Sequence, residues 1–239
     1  MSREPDHFAW HALPDGGAAV RWPASGRVSP GELAAGVRDW RAAGVRYAQV
    51  FLPLPATPPT DALHAAGFRP LTTLELHRRP VAPADAAAPP PSGLALLPFD
   101  RLDPHLVKRT LARTYVGSLD GPELNALRLA DAPPDDGPDG LALLAFRGPV
   151  PVGALVLDGS DDGTLLELSY LGVVPEARRG RVATGLLGFA LAHAALSARR
   201  AVLLSVDDRN APAKALYERS GFTCYERRAV WWWVNDRFP

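Results

Sequence analysis

Two stretches of the sequence hold residue types that can grip an anionic cofactor and move protons. In residues 166–187 (LELSYLGVVPEARRGRVATGLL) an apolar run passes into a loop rich in arginine and glycine, which opens directly into a helical pattern. Free backbone N–H groups at a helix start, beside Arg178, Arg179 and Arg181, suit a pyrophosphate. An exposed basic loop would carry the same residues without a ligand. In residues 205–222 (SVDDRNAPAKALYERSGF) Asn210 precedes a helix beginning at Pro212, and Tyr217 lies near its end. A phenol there is either a proton donor or a core tyrosine.

Composition narrows the partners. A chain of 239 residues holds one large domain or two small ones, each with a real core. Its formal net charge of zero gives no footprint for nucleic acid or an anionic membrane. Cys224 is the only cysteine, which excludes an intrachain disulfide and a cysteine-cluster metal site. His7 and His11 sit four apart but lack an acidic partner, so no metal is expected. No apolar run approaches the ~20 residues of a membrane span, and the N-terminus lacks a signal peptide's apolar core. A soluble, cytoplasmic protein is expected.

The elements that must position these residues alternate legibly. The proline- and alanine-rich stretch 81–92 reads as a linker, because proline fixes φ and removes a donor. After it come a strand at 93–99, a helix capped by Asp103 and stopping at Gly117, and a short helix at 122–128. A hairpin (141–147 and 150–158), a strand (164–174), a helix (178–198), a strand (201–206), a helix (211–221) and a last strand (222–234) follow. The order predicts an α/β fold with a mixed sheet rather than a doubly wound one.

Together the two stretches resemble the GNAT superfamily of N-acetyltransferases over about residues 93–234. The family's loop pattern is Q/R-x-x-G-x-G/A, and this chain reads PEARRGRVATGLL, with Arg178 at the first position and Ala183 at the last. The family's N-x-x-A-x-x-L-Y-x-x-x-G-F stretch is intact as Asn210, Ala213, Leu216, Tyr217, Gly221 and Phe222. Arg181 departs from the pattern: the family usually has glycine there, and Gly180 sits one place early. Arginine at that point either adds a phosphate contact or narrows the site.

The resemblance implies an acyl-CoA N-acyltransferase that moves an acetyl or short acyl group from acetyl-CoA directly to an amine. It places acyl-CoA between strands 164–174 and 201–206, splayed apart. On the donor it implies Leu171, Val173 and Val174 from the strand and Arg178, Arg179, Gly180 and Arg181 from the loop. From the helix start it implies Val182, Ala183 and Thr184, with Asn210 and Tyr217 beyond. The N–H of Val173 or a neighbour would polarise the thioester, Glu167 would act as general base and Tyr217 would protonate the departing thiolate. A strand carboxylate that only faces solvent or an arginine is the other reading of Glu167. The resemblance puts the acceptor pocket at 114–128, with Ser118, Asp120, Glu123 and Asn125 as its polar candidates, although Asp120 also reads as a helix cap.

The first eighty residues match the second half of this pattern at a constant offset of 154. Residues 26–33 (GRVSPGEL) face 180–187 (GRVATGLL), Arg46 faces Arg200, Pro58 faces Pro212, and Gly67 and Phe68 face Gly221 and Phe222. Ala56 stands where Asn210 is, and Leu63 where Tyr217 is. This predicts a degenerate half domain at 1–80 of the tandem GNAT type, the linker at 81–92 and the GNAT domain at 93–239. At least one of Trp231, Trp232 and Trp233 is expected to pack between the halves. An acyltransferase, a catalytically inactive CoA-binding or ligand-sensing protein and a partner-binding scaffold are the three functions to separate. Acetyl-CoA and an amine are the expected partners, in a monomer or homodimer.

Overall fold

Short polar caps and early prolines set where most of the helices begin. The computed structural model describes residues 9–12, 16–21, 28–54, 60–87, 93–119 and 140–235. Its helices are α1 (Pro30–Ala42), α2 (Thr60–Ala65), α3 (Pro104–Tyr115), α4 (Val182–Leu196) and α5 (Ala211–Arg219). The side chains of Ser29, Asp103 and Asn210 each accept a backbone N–H from the first turn of α1, α3 and α5. No helix among the described residues is long and apolar enough to cross a membrane.

The strands are β1 (Ala9–Ala12), β2 (Gly17–Arg21), β3 (Tyr47–Pro53), β4 (Arg69–Pro80), β5 (Ala95–Pro98), β6 (Leu141–Arg147), β7 (Val150–Gly159), β8 (Leu165–Val173), β9 (Ala201–Asp207) and β10 (Thr223–Val234). The expected mixed α/β architecture is present. β1 and β2 were not expected from the sequence, being too short and too rich in alanine and glycine to stand out. The helix expected at 122–128 lies outside the described residues.

The chain divides into two compact units, Met1–Glu75 with Glu226–Pro239, and Leu76–Tyr225. In the first, the strand order is β1-β2-β3-β10. β2 runs parallel to β3, and β10 antiparallel to it from Arg228↔Pro53 to Val234↔Tyr47. Its core is aromatic. Trp40, Trp233, Phe68, Leu33 and Leu63 are fully buried, and Trp40 lies 5.4 Å from Trp233 and 5.8 Å from Phe68 between ring centres. Trp231 joins this cluster, while Trp232 stacks on Tyr47 at 5.5 Å. Strand alternation thus splits the tryptophan run between two faces.

In the second unit the end of β4 is followed by β9-β8-β7-β6-β5. β8 is parallel to β9, and the rest of the order from β8 to β5 is antiparallel. One face carries α4 and α5: Leu186, Leu187, Ala190 and Tyr217 bury against Leu155, Leu157, Leu166, Leu168, Val202 and Leu204. The other carries α3, whose Val107 and Leu111 pack on Leu144, Phe146 and Ala154. Each fully buried leucine contributes about 1.5–3 kcal/mol.

The 154-residue offset reappears in the element bounds. Adding it to the bounds of β3 gives those of β9, and adding it to β4 gives β10. Left-handed turns coincide as well: Gly67 (φ 87°) with Gly221 (φ 84°), and Gly44 (φ 72°) with Ala198 (φ 55°). The same offset relates two backbone hydrogen bonds, Val81 to the Arg200 carbonyl (3.0 Å) and Asn235 to the Arg46 carbonyl (2.9 Å). In each unit the strand beside β3 or β9 is therefore drawn from the opposite half of the sequence.

Candidate functional site

The candidate site lies in the second unit, where β8 and β9 part. Their parallel ladder runs from Leu165↔Ala201 to Glu167↔Leu203, and both strands continue past it, β8 to Val173 and β9 to Asp207. The fork begins at Glu167.

A register shift reshapes β8 just beyond that point. Val156 pairs with Tyr170, but Leu157 pairs with Leu168, leaving Ser169 as an extra residue. The shift swaps the faces of the strand. Leu166 and Leu168 point into the core under α4, and after the bulge Leu171 and Val173 do so instead. Tyr170 turns to the α3 side, where its hydroxyl pairs with that of Thr114. Gly172 permits this contact, because a Cβ there would come within 2.5 Å of the Tyr170 hydroxyl and 2.8 Å of the Thr114 side chain.

Asp158 of β7 sits opposite Glu167 in the register, on the face that carries α3, and accepts a hydrogen bond from Ser169 Oγ. Glu167 reaches solvent but is crowded by the strands around it. Partial burial first, and the Asp158 carboxylate second, raise its pKa above the ordinary value. That combination suits a carboxylate asked to take up a proton.

The loop after β8 spends its early amides on β7 and on itself. Val174 donates to the Val152 carbonyl (3.1 Å), Ala177 to Val174 (3.0 Å), Arg178 to Pro175 (3.2 Å) and Gly180 to Ala177 (3.3 Å). Strand N–H groups alternate in direction. With the amide of Val174 turned to β7, that of Val173 faces away from β7, into the fork. The thioester-polarising role expected of Val173 or a neighbour is thus open to Val173 and closed to Val174.

The start of α4 is different. Its first intrahelical bond runs from Gly185 to the Arg181 carbonyl, and the Arg181 side chain makes no capping bond. The amides of Arg181, Val182, Ala183 and Thr184 therefore precede the ladder. Arg179 (φ 62°) and Arg181 (φ 59°) both hold left-handed backbone, which costs an arginine roughly 1–2 kcal/mol. Cations crowd the positive end of a helix dipole here, against the usual preference. Arg147 of β6 adds another, with Nη2 donating to the Gly180 carbonyl at 3.4 Å. Uncapped amides, strained backbone and unfavourable charge fit the phosphates of a nucleotide-bearing acyl donor.

Arg178 is placed differently from its neighbours. Its Nε donates to the Val173 carbonyl (3.1 Å), and its Nη2 to the carbonyls of Thr114 (3.0 Å) and Val116 (2.7 Å). Arg113, in the last turn of α3, pairs with Glu176 at 3.0 Å. Val182 is buried in the core, Ala183 is half-buried and Thr184 is exposed. Asn210 uses Oδ1 to accept the Ala213 amide at 3.2 Å, so its carbonyl is a helix cap. Tyr217 is 8% exposed and its ring lies 5.9 Å from Phe222 in the core under α4. Ser118 sits in the turn after α3, its amide donating to Tyr115 at 2.9 Å. Asp120, Glu123 and Asn125 lie outside the described residues.

Residues 110–222 match the Acetyltransferase (GNAT) family. Those residues carry a GNAT acetyltransferase domain. No curated protein sequence matches the chain. Solved structures extend the likeness to the fold of nearly the whole length. A GCN5-related N-acetyltransferase from Sphaerobacter thermophilus is 17% identical with a TM-score of 0.63, covering 95% of this chain and 76% of that one. A functionally unknown conserved protein from Staphylococcus epidermidis is 16% identical with a TM-score of 0.66, over 97% and 92%. A tandem GNAT protein from the clavulanic acid biosynthesis pathway is 17% identical with a TM-score of 0.63, over 95% and 78%.

The sequence alone misses several residues that shape the candidate site: Asp158, Ser169, Tyr170, Thr114 and Arg147. Two glycines inside strands were the available signal, since glycine there marks a close approach. Gly172 admits Thr114, and a Cβ on Gly153 would stand 2.8 Å from the Gly172 carbonyl oxygen.

Proposed function

We propose that this protein transfers an acetyl or other short acyl group from acyl-CoA to an amine by direct attack. The observation that carries the reading is the uncapped, arginine-flanked start of α4 at the mouth of the β8–β9 fork. Acyl-CoA, when bound, supplies an activated thioester. The amides of Arg181, Val182, Ala183 and Thr184, with Arg179 and Arg181, would hold its phosphates. The Val173 amide would donate to the thioester carbonyl, where charge develops during attack.

Glu167 takes a proton from the ammonium, directly or through water. The freed amine forms the C–N bond as the C–S bond breaks; Tyr217 delivers its proton to the leaving sulfur, and the surplus proton shed by the new amide nitrogen restores the phenol through solvent. The fork matters because Glu167 lies on the α3 face of the sheet and Tyr217 packs under the α4 face. Only where the strands part can groups on opposite faces serve one reaction. Ser118, at the end of α3, stays a candidate for the acceptor side, and Asp120, Glu123 and Asn125 would extend it.

Titration calorimetry with acetyl-CoA, followed by thiol release across a panel of small amines, tests the reading. Tyr217→Phe should lower turnover about 100-fold, within the range for general acids, and leave acetyl-CoA affinity in place. Unchanged turnover removes Tyr217 from the mechanism. Absent binding of acetyl-CoA by the native chain removes the reading. We further propose that the first unit is a degenerate GNAT copy without turnover, as the matching element bounds support.

A further inference from the structure

We infer that Arg178 is a positioning residue, fastening the end of β8 to the last turn of α3, and not a ligand of the donor's phosphates. Its guanidinium is already committed to three backbone carbonyls at 2.7–3.1 Å: Val173 at the tip of β8, and Thr114 and Val116 where α3 ends. Nε and Nη2 supply these bonds. Nη1 lies 3.6 Å from the place a Cβ would take on Gly117, just beyond α3. The Thr114 and Val116 carbonyls are acceptors that a helix end leaves without partners, and a planar fork with five donors can bridge carbonyls that a lysine ammonium cannot span as rigidly.

Two further ties cross the same seam. Arg113 of α3 pairs with Glu176 of the loop, and Thr114 meets the Tyr170 hydroxyl over Gly172. The Val173 carbonyl held by Arg178 belongs to the residue whose amide faces the fork. Arg178 thus sets the tip of the donor strand and the end of the acceptor-side helix against one another. Phosphate binding is left to the α4 amides and to Arg179 and Arg181. The turnover and affinity measurements below rest on the acyl-transfer reading, and the exchange measurement does not.

The test uses full-length Arg178→Ala and, should that variant fold poorly, Arg178→Lys. Hydrogen exchange across 113–119 should quicken at least tenfold while the amides of α4 keep their protection. Acetyl-CoA affinity by calorimetry should fall less than fivefold, while turnover with the best small amine falls at least tenfold. A fivefold or greater loss of acetyl-CoA affinity, or unchanged exchange over 113–119, overturns the assignment. If the native chain does not bind acetyl-CoA, the functional reading fails but exchange over 113–119 still decides this one.

Discussion

The two units solve the same local problem, the start of the helix between two parallel strands, in opposite ways. In the first unit Ser29 caps α1 and Glu32 returns the bond, its carboxylate accepting the Ser29 amide at 2.8 Å and the Ser29 hydroxyl at 2.7 Å. That capping box satisfies two of the orphan amides and sets a negative charge at the positive end of the helix. In the second unit α4 has no side-chain cap, two arginines in left-handed backbone and no acid in its first turn. One start is finished by its own side chains and the other leaves donors for an outside anion. Beneath them, Trp40 and Leu63 fill positions where the second unit has Ala194 and Tyr217. On the proposed reading, stability and ligand binding are parted between two equivalent frames.

The largest expected effect falls on the first unit. A chain ending at Tyr225 loses the strand that pairs with β3 and the side chains of Trp231 and Trp233. Hydrogen exchange should show α1 and β3 unprotected while α4 stays protected; protected α1 would break the contrast drawn between the units. Trp40→Ala should cost about 3–5 kcal/mol, read by denaturant unfolding of the first unit.

In the second unit Glu167→Gln should lower turnover about 100-fold with acetyl-CoA affinity kept. Because Glu167 must be unprotonated to act, turnover should be lost as pH falls through its raised pKa. Asp158→Asn removes the like charge and should move that limb to lower pH. The shift should be partial, since burial is the larger cause. An unmoved limb separates Asp158 from the base. Smallest are the helix starts themselves. Ser29→Ala should destabilise by about 1 kcal/mol. Arg181→Gly should stabilise by about 1–2 kcal/mol by relieving left-handed backbone. Thermal unfolding reads both, and a destabilised Arg181→Gly would show that the arginine is held there by contacts rather than strained.

Much of the second unit is readable in advance because its signals are local. Asp103 before Pro104, Gly148–Pro149 between apolar runs, and Gly221 after the last helix each act within a few residues. The repeat is readable because gapless spacing preserves turn chemistry, down to Gly67 and Gly221. What escapes is set by tertiary contact. The Ser169 bulge moves every later side chain of β8 to the opposite face, and no residue in LELSYLGVV marks it. Arg178 sits in a pattern that suggests phosphate, yet its partners are carbonyls, two of them 62 and 64 residues earlier. The Ser29–Glu32 box is a local signal, visible as SPGE, but its meaning emerges only beside the uncapped start of α4.

The strand drawn from the opposite half also fixes an order of completion. Asn235 is fully buried and donates through Nδ2 to the Val45 carbonyl at 3.0 Å, across 190 residues of chain. During synthesis at ~5–20 residues per second, that separation takes roughly ten to forty seconds. The first unit to leave the ribosome is therefore the last to close, with Trp40 awaiting Trp233 throughout. The second unit has β4 already made and all its strands by Tyr225. The half proposed to carry the chemistry can be whole while the half built earlier is still unfinished.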